Sequence, residues 1–135
     1  GVARDIDTKT RELMEEYWPG ALTLIVRPNA GLDWDLGDGN ELDELALRAP
    51  KSNFAKALLK KSGPLAVLSI AKSPVLEMAK VPEKGVHIFF TNGKLRKTSP
   101  STIVRAIGGQ HSVERAGQLK VKGLKAVESR NGKSR

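Results

Sequence analysis

The sequence has 135 residues, no cysteine and a formal net charge of +8. This length suits one domain with its own core, and the absence of cysteine excludes disulfides, thiolate metal sites and cysteine nucleophiles. No apolar run approaches the ~20 residues that span a bilayer, and the first ten residues lack the apolar segment of a signal peptide, so we expect a cytoplasmic protein.

The first predicted elements are a helix and a buried strand. Asp7 or Thr8 can cap a helix, and Pro19-Gly20 ends it. The strand is predicted at residues 21–27, a short apolar run between two Pro-containing dipeptides.

A long acidic loop and a second strand come next. The loop covers residues 28–43, a length typical of functional or mobile loops. Residues 45–49 alternate leucine with other side chains, and Pro50 ends the strand. This alternation places Arg48 on the face opposite the core.

The middle of the sequence predicts one helix and two further strands. Ser52 is suited to cap the helix, and Gly63 stands where a helix often ends with a left-handed residue. Strands are predicted at residues 64–70 and 85–91, the second followed by an Asn-Gly turn.

The last elements predicted are two strands around Gly108-Gly109, at residues 102–107 and 112–114. A final amphipathic segment extends to residue 127, and residues 128–135 are predicted to be a basic, disordered tail. Strands and helices are intermixed along the chain, which indicates an α+β (mixed α/β) fold with helices packed on a mixed sheet.

Charge is distributed unevenly. Residues 31–45 contain six acidic residues and no basic one, whereas residues 115–135 contain seven basic residues and one acid, Glu128. A basic segment attracts phosphates and nucleic acid, although a solvated surface followed by a disordered tail is the more common explanation.

Four separated segments carry recognisable motifs. They are Tyr-Trp-Pro-Gly-Ala-Leu-Thr-Leu at residues 17–24, Leu-Ala-Leu-Arg-Ala-Pro at 45–50, Gly-Pro-Leu-Ala-Val-Leu-Ser at 63–69 and Ser-Pro-Ser-Thr-Ile-Val at 99–104. The sequence Arg-Ala-Gly follows at residues 115–117. In this order the segments resemble the YrdC-like threonylcarbamoyl-AMP synthase family.

The resemblance implies a twisted, mixed and largely antiparallel sheet with flanking helices and a basic cleft. It also implies an enzyme that converts ATP, L-threonine and bicarbonate to threonylcarbamoyl-AMP and pyrophosphate for the threonylcarbamoyladenosine modification of tRNA. ATP would be a substrate, accompanied by magnesium, with no tightly bound metal or organic cofactor. The expected partners are these substrates, the downstream enzyme that transfers the threonylcarbamoyl group, and tRNA or double-stranded RNA.

By family correspondence the nucleotide-binding residues are Arg48, Ser69, Ser101 and Arg115. Their chemistry agrees with this role, because guanidinium groups bind phosphate oxygens in a bidentate manner and hydroxyls donate hydrogen bonds to them. Transfer of an adenylyl group also needs fixed cations where charge moves onto the leaving pyrophosphate.

Several positions depart from the family pattern. Ala71 replaces an Asn, which predicts the loss of one polar contact to the nucleotide, Arg105 stands where the family often has Asp, and Ala116 replaces a Pro. The family's Lys-x-Arg segment matches nothing in this chain. We therefore expect residues 1–127 to be a partial YrdC-like domain and the catalytic residues to lie upstream of Gly1.

The sequence leaves other interpretations open. A non-catalytic YrdC-like RNA-binding module is the alternative function, favoured by the departures above and by the basic residues. Trp18 is expected to be a core aromatic residue, and His87 a hydrogen-bonded sheet residue, while no partner for His111 is evident. Two separated histidines and no cysteine give no transition-metal signature.

Overall fold

The computed structural model describes residues 1–35, 43–68, 88 and 98–124. In that part of the chain five strands and two helices occur. They are β1 (Ala3–Arg4), α1 (Thr8–Tyr17), β2 (Leu22–Pro28), β3 (Leu45–Leu47), α2 (Asn53–Ser62), β4 (Thr102–Ile107) and β5 (Gln110–Arg115).

Helix α1 begins and ends where local chemistry directs it. The Asp7 side chain accepts a hydrogen bond from the Thr10 backbone N–H at 2.7 Å, which satisfies one of the donors left free at a helix start. The Trp18 N–H closes the last turn on the Met14 carbonyl, and Pro19 follows. Both predicted ends of the helix are confirmed.

Strand β2 lies at the centre of the sheet. It pairs with β1 and β3 in antiparallel orientation and with β4 in parallel orientation. Strands β4 and β5 form an antiparallel hairpin. The turn between them places Gly108 and Gly109 at φ 62° and 76°, a region that favours glycine. The sheet is mixed and largely antiparallel, as predicted.

The core lies on one face of this sheet, beneath helix α1. Leu22, Leu24 and Val26 of β2 are fully buried, as is Val104 of β4, and Leu13 of α1 packs against them. Because side chains alternate along a strand, Thr23 and Ile25 project from the opposite face. We refer to this second surface as the outer face.

Helix α2 has the predicted ends. The Ser52 hydroxyl accepts from the Ala55 N–H, and Gly63 caps the C-terminus at φ 75°. None of the helix residues is buried. Neither helix of the described ranges is long and apolar enough to span a bilayer.

One predicted strand is wrong, and several other predictions concern residues that the structure does not describe. A strand was predicted at residues 64–70, and this is wrong over 64–68. In the part of the chain described these residues pair with no strand, and Val67 is 90% exposed. Residues 69–70, most of 85–91, His87 and Ala71 lie outside the described residues, as does the predicted tail. The short strand β1 was not predicted.

Candidate functional site

Polar side chains of β2, of β5 and of the residue just before β4 meet at one end of the outer face. Thr23 of β2 lies opposite Ile103 of β4, which in turn lies opposite Arg115 of β5. Residues directly opposite each other in a ladder project from the same face. Ser101 precedes Ile103 by two residues and belongs to this face as well. Thr23, Ser101 and Arg115 are called the polar row below.

Ser101 connects the other two members of the polar row. Its Oγ is 2.8 Å from Thr23 Oγ1 and accepts a hydrogen bond from Arg115 Nη2 at 3.2 Å. The Ser101 carbonyl oxygen accepts two more from the same guanidinium, from Nε at 3.2 Å and Nη2 at 2.9 Å. Ser101 is only 8% exposed, whereas Arg115 is exposed, so the row has a fixed base and an accessible cation.

An irregularity in β5 determines that Arg115 projects from this face. Val104 pairs with Val113, but the preceding residue of β4, Ile103, pairs with Arg115 and not with Glu114. Glu114 is therefore an extra residue of β5 between these two pairs, which is the arrangement of a β-bulge. The bulge puts a guanidinium opposite Ile103, where regular pairing would place the Glu114 carboxylate.

Arg48 lies on the other side of β2. Leu47 pairs with Leu24, so Arg48 follows the last paired residue of β3 and lies next to the strand that carries Thr23. Its Nε donates to the Gly20 carbonyl at 2.9 Å, and the residue is exposed. The core-facing leucines and the exposed Arg48 agree with the predicted alternation.

A cavity of about 570 Å³ borders Arg48. Among the described residues that line it, the charged ones are all cations and most of the rest are apolar: Val2, Trp18, Pro19, Leu47, Arg48, Ala49, Pro50, Lys56, Leu59, Lys60, Gly63 and Pro64. The Trp18 indole donates to the Leu22 carbonyl at 2.8 Å and packs, partly buried, against the core, as expected of a core aromatic residue. The cavity offers apolar contact beside positive charge.

The four predicted site residues are thus placed in three ways. Ser101 and Arg115 are in direct contact, Arg48 lies one strand beyond Thr23, and Ser69 lies outside the described residues. The sequence analysis did not select Thr23. Its position in the Pro-Gly-Ala-Leu-Thr motif was the available signal, because alternation puts this hydroxyl on the face opposite the two buried leucines.

Arg105, one of the departures from the family pattern, also lies on the outer face, opposite Ile25. Its guanidinium forms a bidentate ion pair with the Glu44 carboxylate through Nη1 and Nη2. Glu44 therefore compensates the charge of Arg105, and we do not count Arg105 among the cations of the polar row.

A second polar cluster lies on the core side of the sheet. His111 Nε2 is 2.9 Å from Thr10 Oγ1 and 3.2 Å from Asp7 Oδ1, so β5 is tied to the start of α1. Hydrogen bonds from the Thr10 side chain and backbone lower the pKa of Asp7, and His111 adds a smaller effect. This cluster supplies the partner of His111 that the sequence did not identify.

Comparisons with known proteins agree with this fold. The sequence model of the Sua5/YciO/YrdC family, described as "Telomere recombination", matches residues 1–117. Putative threonylcarbamoyl-AMP synthases of Mycobacterium tuberculosis and Mycobacterium leprae are 32% and 33% identical to this chain, over 94% and 90% of its length. The chain spans about 60% of the length of these curated relatives.

Solved structures support the same assignment at the level of fold. Two structures of P. abyssi Sua5, one of them complexed with L-threonine, match with a TM-score of 0.68 and 24% identity. They cover 86% of this chain, which corresponds to 35% and 36% of the Sua5 chains. With the family model matching most of its residues, the chain belongs to the Sua5/YciO/YrdC family.

Proposed function

We propose that this protein takes part in the synthesis of threonylcarbamoyl-AMP from ATP, L-threonine and bicarbonate. The threonine amine and bicarbonate combine to a carbamate with loss of water. A carbamate oxygen then attacks the α-phosphorus, and the bond to the bridging oxygen of the β-phosphate breaks, so that pyrophosphate leaves.

The observation that carries this proposal is the polar row with Arg48 beside it. Arg115 is an exposed guanidinium on a buried base, and Thr23 and Ser101 supply hydroxyls next to it. Such a set binds phosphate oxygens, and fixed cations stabilise the charge that develops on pyrophosphate. Arg48, Ser101 and Arg115 are the proposed phosphate contacts, with Ser69 as a fourth by resemblance to the family.

Magnesium would enter this reaction bound to the substrate. The proposed contacts are guanidinium and hydroxyl groups, and among the described residues no group of three or more His, Cys, Asp or Glu side chains could hold a metal ion. Divalent cations are usually held by carboxylate oxygens, so we propose that magnesium comes with the ATP phosphates. We derive no step through a protein-bound metal.

The remaining partners follow from the relatives' names. One P. abyssi Sua5 structure contains L-threonine, and the mycobacterial relatives are named as threonylcarbamoyl-AMP synthases. For this protein, threonine and bicarbonate are the proposed co-substrates, and tRNA receives the group through a downstream transferring enzyme. A cytoplasmic location is part of the same proposal.

The experiment measures pyrophosphate release by the purified full-length protein. Release is expected only when ATP, threonine and bicarbonate are all present, and replacing threonine by valine tests recognition of the hydroxyl. A protein that binds ATP but releases pyrophosphate equally without threonine would contradict the proposal. Tight, strongly salt-dependent RNA binding without release would favour the non-catalytic alternative.

A further inference from the structure

Thr102 lies directly behind the polar row, on the other face of the sheet. It pairs with Leu22, both side chains are almost fully buried, and both belong to the core face. Ser101, the neighbouring residue, belongs to the outer face. Thr102 therefore cannot touch a ligand held by the polar row, and any influence on that ligand must pass through other residues.

The Thr102 hydroxyl uses its full hydrogen-bonding capacity on the segment that follows β5. It donates to the Leu119 carbonyl at 2.6 Å and accepts from the N–H groups of Gly117 and Leu119 at 3.1 and 3.0 Å. A hydroxyl has one hydrogen and two lone pairs, so this arrangement is complete. Three backbone groups of residues 117–119 thus depend on one side chain.

This segment is held against the carbonyl that Arg115 binds. A Cβ atom on Gly117 would lie 2.4 Å from the Pro100 oxygen and 2.5 Å from the Ser101 oxygen, so only glycine permits the approach. The Gln118 N–H also donates to the Pro100 carbonyl at 2.8 Å. Residues 117–119 therefore hold the chain directly after Arg115 next to Ser101.

We infer that Thr102 is a positioning residue that holds the Arg115 guanidinium on Ser101. The bulge directs Arg115 to the outer face, and the hydrogen bonds of Thr102 hold the chain two residues beyond it in place. The positioning role of Thr102 does not depend on the proposed function. Only the choice of ATP phosphates as the ligand of Arg115 rests on it.

Two substitutions of Thr102 in the full-length protein distinguish the effect of its hydroxyl from the effect of its side-chain shape. Thr102→Val removes the hydroxyl at nearly constant volume, whereas Thr102→Ser keeps it. Thr10→Val is the matched control, since Thr10 is equally buried but its hydroxyl contacts His111 on the core side. Thr102→Ala removes the same hydroxyl with a smaller side chain if the valine variant does not fold.

The first readout is the Arg115 Nε–H resonance, assigned by its loss in Arg115→Lys. In Thr102→Ser and Thr10→Val this resonance is expected to stay sharp and to keep the chemical shift it has in the unsubstituted protein. In Thr102→Val it is expected to move toward the chemical shift of a solvent-exposed arginine. The second is ATP affinity by calorimetry, which we expect to fall about tenfold in Thr102→Val, the size of one charge-assisted hydrogen bond. That loss should vanish when Arg115→Ala is also present.

A lower melting temperature in Thr102→Val with an unchanged Nε–H resonance would overturn the inference. Failure of the unsubstituted protein to bind ATP would instead count against the proposed function. The resonance would still test the positioning role in that case.

Discussion

The Arg115 guanidinium donates from both Nε and Nη2 to the carbonyl oxygen of Ser101, a residue fourteen positions earlier in the chain. The contact joins β5 to the start of β4 and leaves Arg115 exposed on the outer face. Because two donors of the planar group are engaged, its orientation is defined before any ligand binds. Such preorganisation lowers the cost of ligand binding.

Replacement of Arg115 tests its proposed contact with phosphate. We expect Arg115→Ala to weaken ATP binding by about 10- to 100-fold, the range for losing a hydrogen bond to a charged group. Arg115→Lys should recover only part of the affinity, because an ammonium lacks the planar fork. Calorimetric titration with ATP measures both. The control is Arg11→Ala, which removes the same charge from an exposed position of α1, and equal losses in the two alanine variants would indicate a nonspecific charge effect.

Ser101 is predicted to act together with Arg115. Ser101→Ala removes the Oγ that contacts both Thr23 and Arg115, and we expect ATP affinity to fall severalfold with a loss of about 1 kcal/mol in unfolding free energy. The effects of Ser101→Ala and Arg115→Ala on ATP binding should be non-additive, since the two side chains share one contact. Ser62→Ala on α2 serves as the control, and full additivity would contradict the shared role.

Gly117→Ala is expected to destabilise the fold. The added methyl would meet backbone oxygens of Pro100 and Ser101 at 2.4 and 2.5 Å, and overpacking of this kind costs about 1–3 kcal/mol. Gly31→Ala is the matched substitution, because nothing lies within 4 Å of its Cβ position. Urea denaturation compares the two, and equal stability would show that the backbone near Gly117 yields without cost.

The lowered pKa of Asp7 predicts that the unfolding free energy decreases at acid pH. Its pKa is lowered chiefly by the hydrogen bonds from Thr10. A carboxyl with a lowered folded-state pKa stabilises the fold above its unfolded value of about 3.9, and this contribution is lost as the pH falls through the folded value. Asp7→Asn retains a capping acceptor but does not titrate.

The measurement is the unfolding free energy of both proteins between pH 7 and pH 2. The stability advantage of the unsubstituted protein over Asp7→Asn should shrink as the pH falls below 4. Asp7→Ala should lose about 1 kcal/mol at neutral pH, the usual cost of removing an N-cap. An advantage over Asp7→Asn that does not change with pH would contradict the role of the carboxyl charge.

Features that depend only on residues close together in the sequence could be predicted from it. The cap and end of α1, both caps of α2 and the Gly108-Gly109 turn follow from local chemistry. Alternation along residues 45–49 placed Arg48 away from the core for the same reason. The strand predicted at residues 64–68 was wrong because an apolar run does not by itself provide a hydrogen-bonded neighbour.

Sequence alone determined the family and the order of most elements, because these follow from short motifs and from the spacing of apolar residues in each segment. It also selected Ser101 and Arg115 as proposed phosphate contacts, and these two residues touch each other in the structure. Only the tertiary structure decided that Arg115 and not Glu114 projects beside Ser101, that Thr23 completes the polar row, and that His111 meets Asp7. Each of these depends on the pairing of segments far apart in the chain. A bulge or a cross-strand contact is a property of two strands together, and neither strand encodes it separately.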